Sequence, residues 1–175
     1  MIKEKVLFSK EECNYIINLS KELNKINPFD KSDHMSKDKT FKVNYDVWLI
    51  NRNEKTQWIF DKIHMYFTNK TNLKIKKELD KIYIHKYIKG HQFSKHADTY
   101  YKTQIHNIGV CLNDNYDGGE FVLYNPELIL PKKQGLIYTF LSARMHEVKE
   151  ILNGERWSII GFLHIENIEL NKTLI

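Results

Sequence analysis

Residues 144–165 read RMHEVKEILNGERWSIIGFLHI, and their parity decides what kind of sheet the chain can build. Two apolar runs flank Asn153-Gly154, a dipeptide that favours a tight turn between strands. If it closes a two-residue hairpin, Leu152 pairs with Glu155 and Ile151 with Arg156. His146 lies five residues before Ile151, an odd step, so His146 and Arg156 then face opposite sides of one sheet. If the two serve one pocket, their strands instead belong to opposed sheets, as in a jelly roll.

Further strand-like runs precede this stretch: KIYIHKYI from Lys81, TQIHNIGVCL from Thr103, EFVLY from Glu120 and GLIYTFL from Gly135. Turn signals separate them at Lys89-Gly90, Asp117-Gly118-Gly119, Asn125-Pro126 and Lys133-Gln134-Gly135. Short strands at regular spacing predict a sandwich or barrel. Upstream the period changes. Ser9 and Glu12 form a capping-box pattern, with Phe8 before it and Cys13, Ile16, Ile17, Ser20 and Leu23 at helical spacing behind it. A second helix is predicted over about 54–70, and FKVNYDVWLI at 41–50 reads as a strand. Residues 27–40 are polar, rich in turn formers, and read as a mobile loop. The expected fold is therefore α+β: a double-stranded β-helix (jelly roll) with N-terminal helices packed on one sheet. The expected organisation is a single domain over 1–175, with a helical part at 1–80 carrying one strand and the jelly-roll core at 81–170.

The bulk properties bound the function. A chain of 175 residues with 42% apolar content buries one sizeable core. The formal charge of +5 is spread among scattered lysines and glutamates, which reads as a solvated basic surface and gives no nucleic-acid patch. The 2 cysteines, Cys13 and Cys111, sit in no paired pattern, and no apolar leader or membrane-length run is present. The expectation is a soluble, intracellular (cytoplasmic) protein with reduced thiols and no membrane partner.

His96-Ala97-Asp98 places an imidazole and a carboxylate two residues apart, on one face if the segment is extended. With a second histidine such a pair forms the facial triad that suits iron(II). The triplet alone is near chance level in a chain with 8 His. His146 supplies the second imidazole, and Arg156 follows it by ten residues. A facial triad leaves three adjacent metal positions open. A 2-oxo acid chelates two of them and dioxygen takes the third. The far carboxylate of 2-oxoglutarate then needs a permanent cation, and the planar arginine fork matches it better than lysine.

The segment YIHKYIKGHQFSKHAD at 83–98 resembles the Tyr-x-x-Gly…His-x-Asp segment of prolyl 4-hydroxylase-type iron(II)/2-oxoglutarate-dependent dioxygenases. LNDNYDGGEF at 112–121 is similar to their LN…GGE turn, and HEV…GERW to their distal histidine and cosubstrate-binding basic residue. VLFSKEEC near the start is similar to the opening of their catalytic domain, so the resemblance spans nearly the whole chain. It implies His96, Asp98 and His146 as iron ligands and catalytic centre, with Arg156 and Tyr87 holding 2-oxoglutarate and ascorbate as an optional reductant. It also implies a peptide or protein prolyl substrate, with a free amino acid or other small molecule as the alternative. Two departures concern the substrate. Many prolyl hydroxylases carry lysine where this chain has Arg156, and an arginine frequent in the family is missing around Val43-Asn44-Tyr45.

His85, His91 and His106 read as solvated or hydrogen-bonded histidines, and Trp157 and Trp48 as packing. Gly118, Gly119 and Asn113 read as turn geometry. Cys111 fits pocket or core equally. Residues 27–40 and 99–104 are placed to act as lids. A nucleic-acid dealkylase of the same superfamily would carry a second arginine six residues after Arg156, where Phe162 stands. A non-enzymatic jelly-roll module predicts a missing ligand or anchor, and none is missing.

Overall fold

The computed structural model describes residues 5–35, 41–98 and 104–166. The first helix, α1 (Lys10–Ile26), begins where the capping box is read. Glu12 N donates to Ser9 Oγ at 3.2 Å, and Ser9 N donates to Glu12 Oε2 at 2.7 Å. Cys13, Ile16, Ile17 and Ser20 form its buried stripe. The second helix, α2 (Gln57–Thr71), buries Ile59, Phe60, Ile63 and Phe67, and ends at Asn72 in the left-handed conformation.

Two findings correct the sequence reading of the N-terminal part. Asp30–Met35 is a strand, β2, where a loop over 27–40 is expected, and residues 36–40 of that stretch lie outside the described residues. Lys5–Val6 forms a short β1, so three strands and not one accompany the helices before residue 80, the third being β3 (Lys42–Leu49). The physical reason is the same for both. These are edge pairings, held by backbone hydrogen bonds, and they need no apolar alternation. Thus β2 runs antiparallel to β3 from Asp30↔Val47 to Met35↔Lys42.

The remaining strands are β4 (Lys81–Ile88), β5 (Gln92–His96), β6 (Gln104–Cys111), β7 (Asp117–Gly118), β8 (Phe121–Leu123), β9 (Leu128–Ile129), β10 (Leu136–Leu141), β11 (His146–Val148), β12 (Ile151–Asn153) and β13 (Glu155–His164). Their hydrogen-bonded order is β1-β10-β6-β13-β4-β3-β5-β11-β8-β9, with β2 on β3 and a separate β12-β7 pair. The corner is β3. Residues 46–49 pair with β4, while Val43 and Asn44 pair with β5. One layer thus runs β1-β10-β6-β13-β4, and β5-β11-β8-β9 folds over it. This is the expected jelly roll. Asn153-Gly154 closes no hairpin: β12 pairs with β7, while β13 pairs with β4 and β6. His146 and Arg156 therefore stand in opposed layers, which is what the parity argument requires.

Two cores follow. The outer one joins the helices to the sheet through Phe8, Ile16, Phe60, Ile63, Phe67, Ile82, Ile108, Trp157 and Ile159. The inner one lies between the layers and is largely aromatic, with Tyr87, Phe121, Tyr138 and Phe140. No helix among the described residues is long and apolar enough to cross a membrane.

Candidate active site

His96 ends β5 and His146 begins β11, and the two are direct cross-strand partners. Asp98 lies just beyond the strand. Its backbone N–H donates to the Ser142 carbonyl at 2.9 Å, which turns the carboxylate inward. One ligand atom from each of His96, Asp98 and His146 lies within 4.8 Å of the others. His96 Nε2 is 3.4 Å from Asp98 Oδ1, and His146 Nε2 is 3.3 Å from Asp98 Oδ2.

The supporting contacts aim these atoms. His96 Nδ1 lies 2.8 Å from the Ser94 carbonyl, and His146 Nδ1 lies 2.9 Å from that of Arg144. A carbonyl only accepts, so each Nδ1 donates to it, and each Nε2 is the ring atom turned toward Asp98 that a metal would take. Asn107 Nδ2 donates to Asp98 Oδ2 at 2.7 Å, and Ser142 Oγ donates to Asn107 Oδ1 at 2.9 Å. Phe93 lies flat on His96 with centroids 3.6 Å apart, and Phe121 and Phe140 pack on His146. Burial alone would raise the Asp98 carboxyl. Hydrogen bonding and charge from His146 and His96 outweigh it and hold the group well below the usual carboxylate range. Two imidazole nitrogens and an ionised carboxylate form a donor set that fits a borderline divalent cation such as iron(II).

A cavity of about 150 Å³ extends from these residues to Arg156. That volume suits a small organic acid better than a drug-sized ligand. Arg156 is 3% exposed and forms no ion pair with a glutamate among the described residues. Glu155 instead binds Lys86 at 3.0 Å and accepts from Trp157 Nε1 at 3.1 Å. Arg156 Nη1 donates to Ser158 Oγ at 2.8 Å, while its Nε is buried without a hydrogen-bond partner among the described residues. The Tyr138 hydroxyl is likewise buried and unpartnered. A buried guanidinium with an unused donor and a phenol beside it fits a carboxylate group. Tyr87 is the cross-strand partner of Arg156, with its ring centroid 5.3 Å from the guanidinium carbon. Burial raises the Tyr87 phenol well above its ordinary range despite Arg156, so it is a neutral donor.

All five sequence-predicted site residues thus line one cavity. Trp157 faces the outer core, and Gly118 and Gly119 take positive φ, both as expected. Asn113 clamps the start of β13, donating to the Glu155 carbonyl and accepting from Trp157 N, each at 2.7 Å. Cys13 and Cys111 are free, and Cys111 Sγ donates to the Asn113 carbonyl. Of the proposed lids, residues 99–103 lie outside the described residues.

Sequence reasoning missed Asn107, Ser142 and Tyr138. The signal for Tyr138 is Gly109. A Cβ there would stand 2.1 Å from the Tyr138 ring, so only glycine admits the ring over β6. A glycine inside an apolar strand run is a readable sign of such close approach.

Residues 82–164 match the 2OG-Fe(II) oxygenase superfamily. A PKHD-type hydroxylase of Prochlorococcus marinus is 30% identical over 98 residues, which is 51% of this chain and 44% of that protein. The chain therefore spans under half the length of that curated relative. The fold is shared with a Pseudomonas putida prolyl-4-hydroxylase, at TM-score 0.74 and 14% identity over 95% of this chain and 93% of the other. It is also shared with a Trichoplax adhaerens prolyl hydroxylase solved with a hypoxia-inducible-factor peptide fragment, at TM-score 0.72 and 16% identity over 94% and 82%. A viral collagen prolyl hydroxylase from Paramecium Bursaria Chlorella virus-1, solved with 2-oxoglutarate, gives TM-score 0.68 and 14% identity over 93% and 94%. From Ile82 to His164 this chain is thus similar to the 2OG-Fe(II) oxygenase superfamily, and its fold is one that prolyl hydroxylases share.

Proposed function

We propose that the chain is an iron(II)- and 2-oxoglutarate-dependent dioxygenase that hydroxylates prolyl residues of a peptide or protein. The observation that carries this reading is the cavity with three convergent ligand atoms at one end and a buried arginine at the other. Dioxygen would be the oxidant, with iron(II) supplying the means to use it: one oxygen atom would end in the C–OH and the other in succinate, formed with carbon dioxide as 2-oxoglutarate is decarboxylated. His96, Asp98 and His146 hold the metal on one side and leave its pocket-facing side open. Asn107 and the carbonyls of Ser94 and Arg144 keep these ligands from rotating. Arg156 holds the distal carboxylate of the cosubstrate, and Tyr87 adds a neutral donor beside it. Phe93, Phe121 and Phe140 exclude water from the reacting end. Tyr83, Val47 and Phe162 line the rest of the cavity with apolar surface, which supports an apolar ring as the group presented to the metal.

The second reading is a free amino acid or other small molecule as substrate, favoured by the small volume of the cavity. A nucleic-acid substrate is disfavoured, because Phe162 stands in the cavity wall where the dealkylases carry an arginine. The test is succinate release over proline-containing peptides, free amino acids and alkylated oligonucleotides. Stimulation by the prolyl peptides, with a 16 Da gain on proline, is the expected result. Stimulation by one of the other two classes alone overturns the prolyl assignment.

A further inference from the structure

His85 lies on the inner face of β4, between Tyr83 and Tyr87, and its side chain lines the cavity. It is 7% exposed, and the contacts its ring makes among the described residues are with aromatic rings, with no hydrogen bond or ion pair from it recorded there. Its neighbours are aromatic. Tyr45 stacks on it at 4.5 Å and 29°, and the Tyr83 and Tyr87 rings stand at 6.4 and 6.2 Å. These contacts fix the plane of the imidazole and satisfy neither nitrogen. A buried polar side chain aimed into a cavity without a partner is rare in a folded protein, and it points to a ligand. The sequence reading of His85 as a solvated or hydrogen-bonded histidine is therefore corrected on both counts.

Its place along the cavity is set by register. His85 is the direct cross-strand partner of Ser158, and Ser158 Oγ is the group that Arg156 Nη1 grips at 2.8 Å. The imidazole thus stands one inward step along β4 from Tyr87, the partner of Arg156, and within reach of the charges of both Arg156 and Asp98. Burial drives its pKa down to about 3, and the charge of Arg156 pushes the same way. At neutral pH the ring is uncharged, with one N–H donor. Such a donor can bind an anion beside Arg156 without adding a second positive charge against it.

We infer that His85 is a further cosubstrate-binding residue, whose ring N–H donates to the distal carboxylate of 2-oxoglutarate beside Arg156. This rests on the dioxygenase reading above. The stack with Tyr45 orients the donor, and Ser158 does the same for the guanidinium, so the carboxylate meets a preset pair.

The test measures 2-oxoglutarate affinity in wild type, His85→Phe and His85→Gln. It uses the anaerobic iron(II) protein by absorbance and the zinc(II) protein by calorimetry, with thermal melts as a folding check. A hydrogen bond to a charged group predicts a Kd about 10-fold weaker or more in His85→Phe, while His85→Gln, which keeps a donor, stays within about 3-fold. Pyruvate has the chelating end without the distal carboxylate, and it should bind all three proteins alike. Unchanged affinity in His85→Phe overturns the inference. So does equal weakening in both variants, which would mark a packing role, or equal weakening toward pyruvate. Should His85→Phe fail to fold, His85→Leu is read by the same criteria. Wild type that binds no 2-oxoglutarate sinks the dioxygenase reading, whereas binding by wild type with an unchanged His85→Phe sinks this inference alone.

Discussion

Along β13, Trp157, Ile159 and Leu163 point outward into the core beneath the helices, while Arg156, Ser158 and Ile160 point inward toward the cavity. The outward residues form ordinary close-packed aliphatic and aromatic core. The inward row mixes a buried cation, a hydroxyl and apolar surface, and faces tyrosines and histidines. One strand therefore carries two unlike environments, separated only by the alternation of its side chains. The difference teaches where changes should be felt: outward ones in stability, inward ones in binding.

The largest effect is expected from Asp98→Ala. It removes one of the three proposed ligands, so metal affinity should fall more than about 100-fold, beyond the range seen when a residue that merely orients a ligand is lost. Calorimetric metal titration checks this, and retained affinity would break the inward half of the comparison. Next comes Ile159→Ala on the outward face, at a residue with no exposure. A deletion of that size in a packed core costs about 2–5 kcal/mol. Denaturant melts should show the loss, with 2-oxoglutarate affinity of the folded fraction unchanged.

Smaller again is the effect of Asn107→Ala, which leaves His96, Asp98 and His146 in place and strips the hydrogen bond from Asp98 Oδ2. Metal affinity or turnover should drop about 10–100-fold. A change confined to the melting temperature would mean that Asn107 only packs. The smallest effect is expected from Ser9→Ala, far from the cavity, which opens the capping box of α1. The cost is about 1 kcal/mol of stability, with no change in metal binding.

The same division explains what could be read from sequence. The convergence of His96, Asp98, His146 and Arg156 on one cavity was legible because the chemistry read for them calls for these residue types together. The start of α1 was legible because a capping box is local. Asn107 was not, since an asparagine in a strand run has no meaning until the fold brings Ser142 and Asp98 to it. Tyr138 was hidden in the same way, its clue lying on another strand at Gly109. The polar β2 escaped because its pairing is a backbone property and its composition is that of a loop. His85 was misread because burial of a polar residue on an inner face is decided by which strands close over it.

The most direct measurement is anaerobic titration of the protein with iron(II) and 2-oxoglutarate, followed by visible absorbance. If both ends of the cavity act together, a metal-to-ligand charge-transfer band should appear, saturate with 2-oxoglutarate, and vanish in His96→Ala. A wild-type protein without the band, or a band that survives His96→Ala unchanged, would contradict the account.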